Sequence, residues 1–182
     1  IYNLPNDRNQ VLVKFSSDGT LLLEKHAKDI CRTGACDSSS LITFTDAYID
    51  TMDNIYVTTD PKQNRQLTMY KLDTELNTIK HFDIPRSFLS SRDYSSPQIE
   101  NPITVGQDGS IYFHNFHTYG ITVIRGYDSN FDSVSIDTIN EEITVRNVFG
   151  DTIVAVIKKS YPRIVQLFDR SFTQLSSYET II

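Results

Sequence analysis

The sequence predicts an all-β protein assembled from four-stranded repeats, and three observations carry that prediction. Short segments rich in Val, Ile, Thr, Tyr and Phe alternate apolar with polar or run briefly apolar, which is the period of strands. An apolar dipeptide recurs after a tight turn: Ile55-Tyr56 after Met52-Asp53-Asn54, Ile111-Tyr112 after Gln107-Asp108-Gly109-Ser110, and Ile153-Val154 after Gly150-Asp151-Thr152. The chain itself begins Ile1-Tyr2. A second landmark, apolar-Asp-x-x-apolar, follows each dipeptide at Leu72–Leu76, Tyr127–Phe131 and Phe168–Phe172, with Phe15-Ser16-Ser17-Asp18-Gly19 in that place in the first repeat. Asp and Asn at such sites bond nearby backbone N–H groups and close hairpin turns.

Tandem units of about 40–50 residues with four strands each point to a β-propeller. A β-sandwich or an up-and-down barrel is the alternative, and the shared turn chemistry at shared positions favours the propeller. The blades fall at about 1–26, 41–84, 102–137 and 142–182, within one propeller domain. In the first, strand b is 1–4, c is 10–15 and d is 20–25, and strand a is missing. The second has a at 41–45, b at 55–59, c at 66–72 and d at 78–83. The third has 102–105, 110–114, 121–127 and 133–137, and the fourth 142–148, 152–158, 163–168 and 174–180. Nothing of helical period exceeds about two turns. With no strand left to complete the first blade, the chain is expected to be part of a larger propeller of roughly six to eight blades. A compact four-bladed ring is the rival.

Composition narrows the function. Hydrophobic content of 39% and charged content of 22% suit a globular chain. The net charge of −6 lacks the basic footprint of a nucleic-acid binder. No apolar run is long enough to span a bilayer. The chain starts at Ile1 without Met and without a signal peptide, which reads as a processed chain or a fragment. Cys31 and Cys36, in CRTGAC, are too few for a zinc site. They are expected to close a small loop disulfide in an extracellular or periplasmic setting, with two free thiols as the alternative.

In a propeller the a–b and c–d turns share one face, and the b–c and d–a connections the other. Here the turns are tight, while the d–a connections 26–40 and 85–101 are long, and the b–c loops are 5–9, 60–65, 115–120 and 159–162. Long loops on a rigid scaffold carry binding. The partner-binding candidates on that face are Arg92, Tyr94, His117, Tyr119, Tyr161 and Arg163, since Tyr and Arg give contact area with directed hydrogen bonds.

Candidate chemistry is sparse. His114-x-x-His117 offers two metal ligands only if His117 sits in a loop, because i and i+3 on a strand point to opposite faces. Asp128-x-Asn130-x-Asp132 begins like a calcium loop but has Ser133 where Gly is needed and Ile139 where the bidentate Glu belongs. There is no Gly-x-Ser-x-Gly elbow and no phosphate loop.

The turn-plus-strand Asp108-Gly109-Ser110-Ile111-Tyr112-Phe113 resembles blades of the NHL and YWTD-like propellers, and at blade level the resemblance covers the chain without naming one family. The absence of Trp sets it apart from WD40 repeats, sialidase Asp-boxes and quinoprotein propellers. Glu100, Asn101 and Glu142 precede inner strands, and they resemble the calcium-holding side chains of some propeller hydrolases and lactonases. The expected function is a non-enzymatic binding module for a protein or glycan. The alternatives are a propeller hydrolase or lactonase with a channel-bound divalent ion such as calcium, and a structural subunit of a larger assembly, or of the remaining blades of the same propeller.

Overall fold

The computed structural model describes residues 2–3, 10–30, 42–61, 68–85, 103–117, 121–141, 143–157 and 164–179. They form fifteen strands and one helical turn among the described residues. The first sheet holds β1 (Tyr2–Asn3), β2 (Gln10–Phe15) and β3 (Leu21–His26), followed by α1 (Ala27–Ile30). The second holds β4 (Ile42–Ile49), β5 (Ile55–Pro61), β6 (Thr68–Leu72) and β7 (Thr78–Asp83). The third holds β8 (Ile103–Val105), β9 (Ile111–His117), β10 (Ile121–Tyr127) and β11 (Ser133–Ile139). The fourth holds β12 (Ile143–Phe149), β13 (Thr152–Ile157), β14 (Ile164–Phe168) and β15 (Gln174–Glu179). Every sheet is an antiparallel meander in chain order.

The all-β expectation holds, and three strands, 10–15, 78–83 and 121–127, run as read from the sequence. Others differ at their ends. β4 runs on to Ile49 and β9 to His117, so Asn115, Phe116 and His117, read as loop, belong to a strand. β11 likewise absorbs Thr138 and Ile139, and β5 absorbs Asp60 and Pro61.

The chain divides into two compact units, one of residues 1–49 and 53–85, the other of 50–52 and 86–182. In the first, Leu12 of β2 packs with Ala27 and Ile30 of α1 and with Phe44, Ile55, Val57, Tyr70, Leu72 and Leu76 of the second sheet. In the second, Tyr112 and Ile124 of the third sheet meet Ile143, Val145, Ile153, Ala155, Phe168 and Phe172 of the fourth. The second, third and fourth sheets are buried most in their first three strands. The last strand of each stands exposed, with Leu21, Leu22, Ile79, Val134, Ile136, Leu175 and Tyr178 open to solvent.

The third-strand to fourth-strand hairpins share one construction. In the second sheet Leu76 N donates to Asp73 O and Asp73 N to Asn77 O. The Asp73 carboxylate accepts from Glu75 N and Asn77 N. Asp128 accepts from Asn130 N and Asp132 N, and Asp169 from Ser171 N, Ser171 Oγ and Thr173 N. This is a type I turn followed by a residue in the left-handed region, a position where Gly is the usual choice. Gly19 fills it in the first sheet at φ 85°, but Leu76, Phe131 and Phe172 fill it in the others, at 61°, 63° and 58°. A non-Gly residue there costs about 1 kcal/mol. The return is burial: Leu76, Phe131 and Phe172 are all buried, and Phe172 meets Tyr112 edge to face, ring centroids 6.0 Å apart.

Candidate functional site

The two ends of the sheets differ chemically. Within the second unit, Arg170 in the β14–β15 turn reaches Asp108 in the β8–β9 turn, Gly150 O at 2.8 Å, and Asp151 at 3.0 Å. Within the first unit, Lys14 Nζ donates to Thr74 O at 2.9 Å and Lys25 Nζ to Asn77 Oδ1 at 3.1 Å. Turn therefore meets turn in the second unit and strand lysines meet the β6–β7 turn in the first, while the Asp73, Asp128 and Asp169 carboxylates accept from their own turns' backbone. The calcium-like Asp128-x-Asn130-x-Asp132 is such a turn.

These bonds leave a titration signature. The Asn77 backbone holds Asp73 below the ordinary 3.8, and Ser171 does so for Asp169. Asp18 is lowered by Ser16. Burial pushes Asp108 up, but Ser110 and Arg170 outweigh it and bring it below 3.8. A carboxylate whose folded pKa is lowered contributes stability that is complete above its unfolded value and lost as the pH falls through the folded one. The melting temperature is therefore expected to hold down to about pH 4 and drop below it, with Asp73→Asn and Asp169→Asn each reducing the drop, since an amide oxygen accepts without titrating. A melting temperature that stays constant down to about pH 2 contradicts this.

Between the third and fourth sheets, threonines bind sheet to sheet. Thr122 Oγ1 donates to Glu141 O at 2.7 Å and accepts from Ile143 N at 3.0 Å. Thr104 Oγ1 donates to Val145 O at 2.9 Å, and Gln166 Nε2 to Glu141 Oε2 at 3.1 Å. Thr104, Thr122 and Gln166 are buried, as is His114. None of these bridges was singled out in the sequence, because a threonine on a strand reads equally as a β-former.

His117 is the one predicted partner-binding residue on a described element. It ends β9, and its backbone pairs with Ile121, which makes 118–120, with Tyr119, the link between β9 and β10. β9 carries both His114 and His117, whereas convergence of the pair on a metal requires His117 in a loop. Among the described residues no cluster of three metal-ligating side chains occurs. Arg92, Tyr94, Tyr119, Tyr161 and Arg163 lie outside the described residues, as do Glu100, Asn101, Glu142, Cys31 and Cys36. Chain order alone places Tyr161 and Arg163 between β13 and β14, and Glu142 directly before β12. No helix among the described residues is long and apolar enough to cross a membrane.

No protein-family model and no curated protein matches the chain.

Proposed function

We propose that the four sheets are blades of a β-propeller, part of a ring with further blades, and that the protein is a binding module rather than an enzyme. The carrying observation is the closed chemistry of the turn ends, where Asp73, Asp128, Asp169 and Arg170 are all spent on internal bonds. Recognition then falls to the connections at the other end, which hold Arg92, Tyr94, Tyr119, Tyr161 and Arg163. The proposed partner is a protein or glycan, met in an extracellular or periplasmic setting in which Cys31 and Cys36 are bridged.

The test is binding to a glycan array and to a panel of purified extracellular proteins. The chain is expected to bind one class, and combined Tyr94→Ala, Tyr119→Ala and Tyr161→Ala is expected to abolish the signal with the unfolding midpoint unchanged. Stoichiometric calcium in the purified protein, together with an ester- or lactone-hydrolysing activity lost on chelation, would overturn the reading in favour of a propeller hydrolase.

A further inference from the structure

Among the described residues β11 is the outer edge of the third sheet, paired only with β10. A bulge at Val134 interrupts its start, and residues 135–139 then run in unbroken register against 122–126. The last strand of every sheet carries a bulge at the same place, but the regular run beyond it is one residue shorter in the others, at 23–26, 80–83 and 176–179.

One hydrogen bond shows which backbone groups of β11 face outward. Thr138 N donates to the Asp137 carboxylate at 2.7 Å. That amide therefore points away from β10. The groups of an antiparallel strand alternate, so Ile136, two residues earlier, also turns its N–H and C=O to the open side. The edge is thus a template for a further strand, with one of its donors, Thr138 N–H, capped by Asp137. Ile136 itself is 67% exposed.

The charge around this edge has one sign. From 126 to 145 the chain has Asp128, Asp132, Asp137, Glu141 and Glu142 and neither Lys nor Arg. Arg125, on β10, stands opposite Ile136 and so on the other face of the sheet from Asp137. The runs 23–26 and 80–83 each hold a lysine, the usual guard of an edge, and 176–179 follows a turn that bears Arg170. A second copy of β11 would set these carboxylates against their like, whereas a basic strand would meet the opposite charge.

We propose that β11 accepts an extended, basic segment of another protein as a fifth strand of the third sheet, with an aliphatic side chain beside Ile136 and a lysine or arginine beside Asp137. The cation draws the Asp137 carboxylate off Thr138 N–H, and that amide then bonds the incoming strand. Asp137 is in this way the specificity-determining residue, because an uncharged strand meets a capped amide and has no charge with which to displace the cap. None of the loop residues of the binding reading takes part.

Fluorescence anisotropy on the whole chain tests it, with a labelled, end-capped peptide alternating Val and Lys over seven residues, the length of β11. The controls are a peptide with Gln in place of Lys and a Val/Lys peptide N-methylated throughout. The Val/Lys peptide is expected to bind most tightly, and N-methylation to abolish binding by removing the donors that pair with an edge. Asp137→Ala, at a half-buried position, is expected to reduce the Lys-over-Gln preference about fivefold, the worth of one exposed ion pair. It is also expected to tighten binding of the Gln peptide, since the cap is gone. Thr138→Lys, at an exposed position, is expected to weaken the Val/Lys peptide with far-UV circular dichroism unchanged. A Val/Lys peptide that fails to bind at about 1 mM overturns the proposal. So does an N-methylated peptide that binds equally well, which would mean attraction of charge without strand addition. A chain that sediments as a dimer dissociated by Thr138→Lys also overturns it, since the occupant would then be a second copy. The tyrosine substitutions above leave β11 untouched, so failure here and failure of the binding reading are separable.

Discussion

Phe172→Ala is expected to destabilise the chain by about 3 kcal/mol, and Phe172→Gly by about 1 kcal/mol less. Both lose the ring that packs against Tyr112. Alanine keeps a Cβ at φ 58°, where the left-handed backbone crowds it, and glycine does not. The order reverses the usual one, in which glycine is the worse replacement for a buried side chain. Urea unfolding of the two variants decides the matter. If glycine proves equal or worse, the turn does not hold Phe172 in the left-handed region, and the strain and its repayment by burial both fall away.

Thr122→Val should cost about 2 kcal/mol, although it is close to isosteric. The hydroxyl accepts from Ile143 N, the first amide of β12, and Ile143 is fully buried. Valine leaves that donor with no oxygen in reach of its former bond, and the desolvation cost is not recovered. Thr122→Ser should be near neutral by comparison. Thr104→Val should cost less than Thr122→Val, since Thr104 Oγ1 only donates to a carbonyl, and carbonyls tolerate a missing partner better than amides do. Denaturant midpoints that rank Thr104→Val above Thr122→Val would show that the bridge at β12 is not the stronger tie between the sheets.

These two sites also mark where reading the sequence stops. Strands 10–15, 78–83 and 121–127 were legible because alternation or an apolar run is bounded by turn residues or a loop at both ends. β4 reads from sequence as ending at Thr45 because a bulge between Phe44 and Asp46 slips the alternation by one residue, and a phase change looks like an end. α1 is a single turn, too short for a period to register. The Asp-x-x-apolar landmark announced a hairpin, yet nothing in it says that the final apolar residue takes the backbone conformation of a glycine. That choice depends on Tyr112, sixty residues earlier in the chain. The same holds for Thr122 and Thr104, whose partners lie across a sheet-to-sheet contact. The partner-binding set rests on composition and loop length alone, and His117, on β9, is its one member among the described residues.

The exposed last strands have a consequence for handling the protein. An outermost strand presents unpaired amides and carbonyls to any passing chain, and nature blunts such edges with charge. β3 carries Glu24 and Lys25, β7 carries Lys80, and β15 carries Glu179. β11, Ser-Val-Ser-Ile-Asp-Thr-Ile, has a single carboxylate at Asp137, no lysine, and both Val134 and Ile136 bare. With β15, which likewise has one carboxylate, Glu179, no lysine, and bare Leu175 and Tyr178, it is the least guarded of the four rims against fibrous self-addition, and a lysine in place of exposed Thr138 would be the first gatekeeper to add on β11.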